Sequence, residues 1–341
     1  MSMARPTMAC DLLEGISPAH RETVRTALDA AFGSARVDLI APIGGGASGA
    51  FPFKVHIGDQ RYLVRLEGPA SPLRNPHQYE SMRIASAAGI APNIHHIDEV
   101  ARVAVMDFVE EHPLSAFPGG AHALAHAVGT ILGRVQRTPP FPQFVEYPEM
   151  VGRLWWWVCQ TGLFSPGVLD PCTEHLAQIR ATYVWNPAES VSSHNDPVPR
   201  NVLFDGQRLW LIDWESAYRN DPLVDAAIAL DCFAPSPALE QVLLRAWLGH
   251  DKPNVSFANR LAKVRALTRL YYAGVFLSAS AAVSGPLGDR DLSAPTVEAF
   301  RRAISDGTII PGSPEAKHIL GKMYLASFMT GEVPPGLDAA V

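Results

Sequence analysis

The chain has 341 residues, a formal net charge of −6 and 48% hydrophobic residues. That length suits about two domains of ~150 residues, with apolar content for both cores. The acidic balance excludes a basic field that would draw nucleic acid, and the absence of any apolar run of about 18 residues predicts no membrane span.

The first fifteen residues lack a basic start followed by an apolar core, so no signal peptide is read. Cys10, Cys159, Cys172 and Cys232 have no metal-ligand spacing and fit reduced thiols, so a cytoplasmic protein is expected. Residues 1–36 read as a lead-in and one helix. Ser17 suits its N-cap and Pro18 its first turn, Val24, Leu28, Ala31 and Phe32 share a face, and Gly33 ends it. Strands are predicted at 37–43, 51–57 and 61–66. Gly44, Gly45, Gly46, Ala47, Ser48 and Gly49 separate the first two. Such a turn can bring backbone N–H groups close to phosphates with no Cβ in the way. It is not a P-loop, because no Gly-Lys-Ser/Thr follows. A helix at 76–88 and strands at 94–100 and 102–109 complete a first domain over 37–110.

From residue 111 the pattern turns helical, and 111–341 reads as a second domain. Helices are predicted at 121–138, 150–162, 170–185, 223–232, 237–248, 258–282, 294–306 and 313–330. His122 and His126 have i, i+4 spacing but no Glu-x-x-His context, and read as solvated. Trp155, Trp156 and Trp157 cannot all face one side of a helix. Core packing and an aromatic wall for a cationic substrate are both open, with Trp156 the candidate for the wall.

The stretch with the most chemistry is Ser193-His194-Asn195-Asp196-Pro197-Val198-Pro199-Arg200-Asn201, followed by Leu209-Trp210-Leu211-Ile212-Asp213-Trp214-Glu215. Asp196 lies on a Pro-rich loop, Asn201 follows five residues later, and Asp213 ends the next apolar strand. Two carboxylates and an amide on adjoining turns can hold Mg²⁺ and orient a hydroxyl. The spacing H-x-D-x-x-x-x-N, an apolar run, then I-D is a phosphoryl-transfer arrangement. It is not that of protein kinases, since Ile-Asp-Trp-Glu stands in place of Asp-Phe-Gly and no Ala-Pro-Glu follows. Instead Asn220-Asp221-Pro222-Leu223-Val224-Asp225 comes next.

With these motifs the chain resembles the aminoglycoside phosphotransferase and choline kinase superfamily over about residues 37–285, and looks most like the bacterial choline and ethanolamine kinases. The resemblance implies an α+β, protein-kinase-like two-lobe fold, with a small antiparallel-sheet N-lobe and a larger, mainly helical C-lobe. It implies an ATP- and Mg²⁺-dependent enzyme that phosphorylates a hydroxyl of a small, amine-bearing alcohol. An antibiotic kinase, or a nucleotide-binding pseudokinase without turnover, is the alternative. No nucleic-acid or membrane partner is expected, and the oligomeric state is not read.

By the same resemblance Asp196 is catalytic, and Asn201 and Asp213 hold the metal. Gly44 to Gly49, Arg65, Asp107 and Val109 meet the nucleotide. Arg65 takes the phosphate-binding place, with Lys54 as rival cation. Glu80 is its expected helical partner, with Glu67 as rival. Glu215, Trp214, Trp156 and Tyr271 are candidates for the acceptor pocket. His194, Asp221 and Asp225 are read as braces at the site. Arg200 has two readings: a phosphate ligand, or a loop brace paired with Asp221 or Glu215.

Overall fold

The computed structural model describes residues 16–44, 49–68, 75–249 and 255–332. The protein forms two compact units. One comprises the described chain through Pro113 together with Leu203–Ser216; the other comprises Leu114–Val202 and the chain from Ala217 onward.

The first unit is built on a five-stranded antiparallel sheet. Its strands are β1 (Leu39–Pro42), β2 (Phe51–Ile57), β3 (Gln60–Leu66), β4 (Ile94–Asp98) and β5 (Val103–Asp107), in the order β1-β2-β3-β5-β4. Alternation along each strand sends odd and even residues to opposite faces. Phe53, Val55, Val64, Leu66, Val103 and Val105 are buried with Val24, Ala27 and Leu28 of helix α1 (Pro18–Phe32). Arg65 therefore points to the other face, where it lies opposite Pro52 and Ala104 in the ladder. Helix α2 (Gln78–Ala87) packs against a short 3₁₀ turn at Trp214–Ser216.

The second unit is helical. Among its described residues are α3 (Gly120–Gln136), α4 (Tyr147–Gln160), α5 (Asp170–Ala181), α6 (Leu223–Phe233), α7 (Pro237–Leu248), α8 (Val255–Ser284), α9 (Val297–Ser305) and α10 (Pro314–Thr330). Helix α4 starts three residues before the predicted position, because Pro148 sits in its first turn, where proline is tolerated. Helix α6 is apolar nearly all round and buried nearly all round, as such a helix must be. Helix α8 packs against α10, α4 and α6. Its Ser256–Ser284 stretch is long and apolar enough to cross a membrane, but 56% of the apolar window is buried inside the protein, as in a core helix.

Four short strands frame the catalytic stretch. β6 (Val191–Ser193) pairs antiparallel with β9 (Tyr218–Asn220), and β7 (Val202–Phe204) pairs with β8 (Leu209–Leu211). Three-residue strands show too little alternation to be read from sequence, and neither β6 nor β9 was predicted. Their polar residues are absorbed locally: Ser192 Oγ accepts from the Phe141 N–H and donates to the Pro139 carbonyl.

Helices α3 and α7 approach closely at Gly129, where a Cβ would meet the Leu243 carbonyl oxygen and lie 3.0 Å from Ala246 Cβ. Gly129→Ala gains up to about 1 kcal/mol of helix propensity but overpacks this contact at about 1–3 kcal/mol. The variant is expected to be less stable than the wild type in urea unfolding, with helix content unchanged.

Candidate active site

The loop after β6 is held by a carboxylate beneath it. Asp225, in the first turn of α6, is fully buried and accepts the backbone N–H groups of His194 (2.9 Å) and Asn195 (2.7 Å). Burial pushes this carboxyl above its usual range, opposed by His194 and by the two N–H donors. Asn195 adopts the left-handed conformation (φ 62°), which asparagine tolerates better than most residues. Its side-chain oxygen accepts from Asn220 Nδ2 at 2.8 Å, and its own amide reaches the Tyr218 carbonyl at 3.3 Å. Asp221 is also buried: it caps α6 through the Leu223 N–H and accepts from the Tyr183 hydroxyl and from Arg260.

This turn delivers Asp196. Its Oδ2 accepts from Asn201 Nδ2 at 2.8 Å, and its Oδ1 accepts from the Tyr272 hydroxyl at 2.7 Å. The same Asn201 nitrogen reaches the Asp196 carbonyl at 2.9 Å. Asn201 thus turns its side-chain oxygen away from the carboxylate. Arg200 Nη2 lies 3.6 Å from Asp196 Oδ2. Asp221, one of the two partners expected for Arg200, is taken by Tyr183 and Arg260 instead.

In the first unit Asp213 follows β8 and is also left-handed (φ 63°). Its Oδ1 lies 2.7 Å from Arg65 Nη2. Arg65 Nε is 3.1 Å from Glu67, and Glu215 is 3.6 Å from Nη2. Burial opposes the guanidinium charge, but Asp213, Glu67 and Glu215 outweigh it and hold Arg65 above its ordinary value. Glu80 is exposed and is not the partner of Arg65; that expectation is corrected. Residues two apart on an extended chain share a face, so Glu67 is delivered beside Arg65 by the strand itself. Lys54, the rival cation, lies over the Phe108 ring and pairs with Glu110 at 2.8 Å.

Two of the proposed pocket residues are placed elsewhere. Trp214 is 2% exposed and donates to the Leu211 carbonyl, so it is core. Trp156 is 63% exposed, while Trp155 is buried with its indole N–H on Thr173. On α4, Trp156 lies nine residues, half a helical turn in phase, from buried Tyr147. Tyr271 packs with Phe144, Val145, Met150 and Tyr218. Tyr272, on the aromatic stretch of α8 beside Tyr271, is the main addition, through its bond to Asp196. An aromatic residue in an apolar helical pattern carries no signal separating core from site. Asp107 bonds His95 through its carboxylate, and its N–H donates to the Asn93 carbonyl. Val109 is half-buried just beyond β5. Gly44 and Gly49 flank the glycine-rich turn, Gly49 with φ 69°. Gly45, Gly46 and Ser48 lie outside the described residues.

Magnesium takes oxygen ligands and keeps phosphates and water in its shell. By residue type, Asn201 in one unit and Asp213 in the other each carry a side-chain oxygen of that kind. Three carboxylates, Glu67, Asp213 and Glu215, lie within 4 Å of the Arg65 guanidinium. Among the described residues no group of three or more His, Cys, Asp or Glu is placed to hold a metal alone.

Residues 40–258 match the family described as "Phosphotransferase enzyme family", and the chain belongs to it. Membership makes it a phosphotransferase. Its fold is similar to that of a choline/ethanolamine kinase family protein from Mesorhizobium loti (TM-score 0.61, 20% identity, covering 88% of this chain and 98% of that one). It is equally similar to choline kinase LicA from Streptococcus pneumoniae (0.61, 16%, 84% and 98%). A spectinomycin phosphotransferase in complex with ADP and spectinomycin follows at 0.55 (12%, 88% and 98%). These likenesses give the protein-kinase-like α+β fold. Protein LicA of Haemophilus influenzae is 50% identical over 38 residues, which are 11% of this chain and 14% of that protein's length.

Asp225→Ala leaves two buried N–H groups without their acceptor, at about 1–3 kcal/mol each. The variant is expected to lose about 2–6 kcal/mol in chemical denaturation.

Proposed function

We propose that this protein transfers the γ-phosphoryl group of ATP to the hydroxyl of a small, amine-bearing alcohol of the choline or ethanolamine type. The observation that carries the reading is the Asp196 carboxylate, held by Asn201 on a buried, braced loop. Asp196 accepts a hydrogen bond from the acceptor hydroxyl and aims its oxygen at the γ-phosphorus. As the new O–P bond forms and the bond to the β-phosphate oxygen breaks, the hydroxyl proton passes to Asp196. Positioning and charge stabilisation supply much of the rate in such reactions. Asn201 and Asp213 are the proposed metal ligands. Mg²⁺, when bound, would neutralise phosphate charge. Arg65 is assigned to phosphate oxygens, to which a guanidinium can bind in bidentate fashion. The Asp107 carbonyl and Val109 N–H are assigned to adenine, and the turn from Gly44 to Gly49 to the phosphates. Glu215 is assigned to attract the substrate amine, and Tyr271 to the acceptor side of Asp196.

Support for the amino-alcohol comes from the His-Asn-Asp and Ile-Asp-Trp-Glu motifs and the fold shared with choline and ethanolamine kinases. The similarity to a spectinomycin phosphotransferase over 88% of this chain keeps an antibiotic acceptor as the second reading. Mg²⁺-dependent ADP release over choline, ethanolamine, aminoglycosides, homoserine and simple sugars separates the two. A flat panel with no nucleotide binding would overturn both.

Asp196→Asn is expected to fold and bind Mg-ATP with wild-type affinity while turnover falls by about 10²–10⁴-fold, the range for loss of a general base. Asp213→Ala is expected to lose Mg²⁺-dependent nucleotide binding in titration calorimetry, and unchanged affinity would remove it from the metal site.

A further inference from the structure

Asp196 is gripped from two directions. Asn201, five residues along the same loop, donates to Oδ2. Tyr272, from the middle of α8 and 76 residues away in sequence, donates to Oδ1. The terminal torsion of an aspartate is soft and roughly two-fold. A single donor leaves the carboxylate free to swing about it, whereas donors on both oxygens fix its plane. Each oxygen has two lone pairs, so a bond from Tyr272 does not exhaust Oδ1.

The phenol is itself immobilised. Tyr272 is 8% exposed. Its ring meets Tyr271 edge-on at 5.6 Å and Tyr324 of α10 at 5.6 Å, and Tyr324 stacks on Phe276 one turn further along α8. Burial, with Asp196 as the next cause, holds the phenol well above its ordinary value, so it remains a protonated donor.

We propose that Tyr272 is the positioning residue of the catalytic carboxylate: α8 and α10 together hold a hydroxyl that sets the plane of Asp196 before the acceptor arrives. This rests on the assignment of Asp196 as the group that orients the acceptor. Tyr272 acts through Asp196, and its removal should therefore lower turnover without weakening either substrate. An acceptor hydroxyl then meets an oxygen already aimed, which is where misplacement by even about 1 Å is felt as about a hundredfold loss.

The test is Tyr272→Phe in the full chain, which keeps the ring and its packing and removes only the donor. Mg²⁺-dependent ADP release is measured with choline and, separately, with water as the acceptor, well below the unfolding midpoint. Turnover is expected to fall by about tenfold or more, while KM for ATP and for choline stays within about twofold. A crystal structure of the variant should show the Asp196 carboxylate rotated from its wild-type plane. Wild-type turnover, a rise in KM for choline alone, or a loss that follows the fraction unfolded would each overturn the proposal. Asp196→Asn runs beside it. If that variant stays active, the proposed mechanism fails. If it is inactive while Tyr272→Phe is fully active, only the role of Tyr272 fails. Should wild type turn over neither acceptor, the Asp196 plane in the two crystal structures decides: an unchanged plane overturns the proposal.

Discussion

The helical unit depends on one buried carboxylate. Asp225 sits in an apolar helix, fully removed from water, and its two oxygens accept the N–H groups of His194 and Asn195. A buried ionisable group is tolerated only when its hydrogen-bonding capacity is met. Here the helix start and the loop satisfy each other. With His194 and Asn195 tied down, the chain enters its left-handed turn at Asn195 and presents Asp196. Asn220 and Asp221 extend the same logic: Asn220 of β9 bonds Asn195 in the loop, and Asp221 ties Tyr183, just past α5, to Arg260 of α8.

The sheet unit solves the opposite problem, a buried cation. Arg65 is on the face of β3 turned away from α1, and three carboxylates from two segments surround it. Glu67 comes from the strand itself. Asp213 and Glu215 come from the segment after β8, which belongs to this unit although it follows the catalytic loop in sequence. A guanidinium suits this setting because its fork of donors serves several carboxylate oxygens at once.

Around Asp196 the environment is phenolic. Tyr147, Tyr218, Tyr271 and Tyr272 come from α4, β9 and α8, with Phe144 beside them. Each has an apolar body and a polar tip, so the same side chains can complete a core and leave a donor at its edge. The exposed Trp156 of α4 faces away from Tyr147, because the helical period places it on the opposite side of the helix.

Asp196, Asn201 and Asp213 could be proposed from sequence because they lie within one short stretch, and their spacing survives any arrangement of the rest. The antiparallel sheet and the change to helices after residue 111 were legible from period and turn residues. The partners of those residues were not. Helical periodicity shows that Glu80 and Trp156 have a face, but not what that face meets, and both proved exposed. Trp214 stood beside a metal-ligand candidate in sequence, yet it is core, because adjacent residues of a turn point in different directions. Tyr272 is 76 residues from Asp196, and no local pattern marks an aromatic side chain that will donate across that distance. The sequence by itself determined the class, a phosphotransferase, since the motifs that mark it need only residue types at set spacings. Tertiary structure alone decided which groups hold those residues still, because the donors to Asp196 and the carboxylates around Arg65 come from segments that only packing brings together.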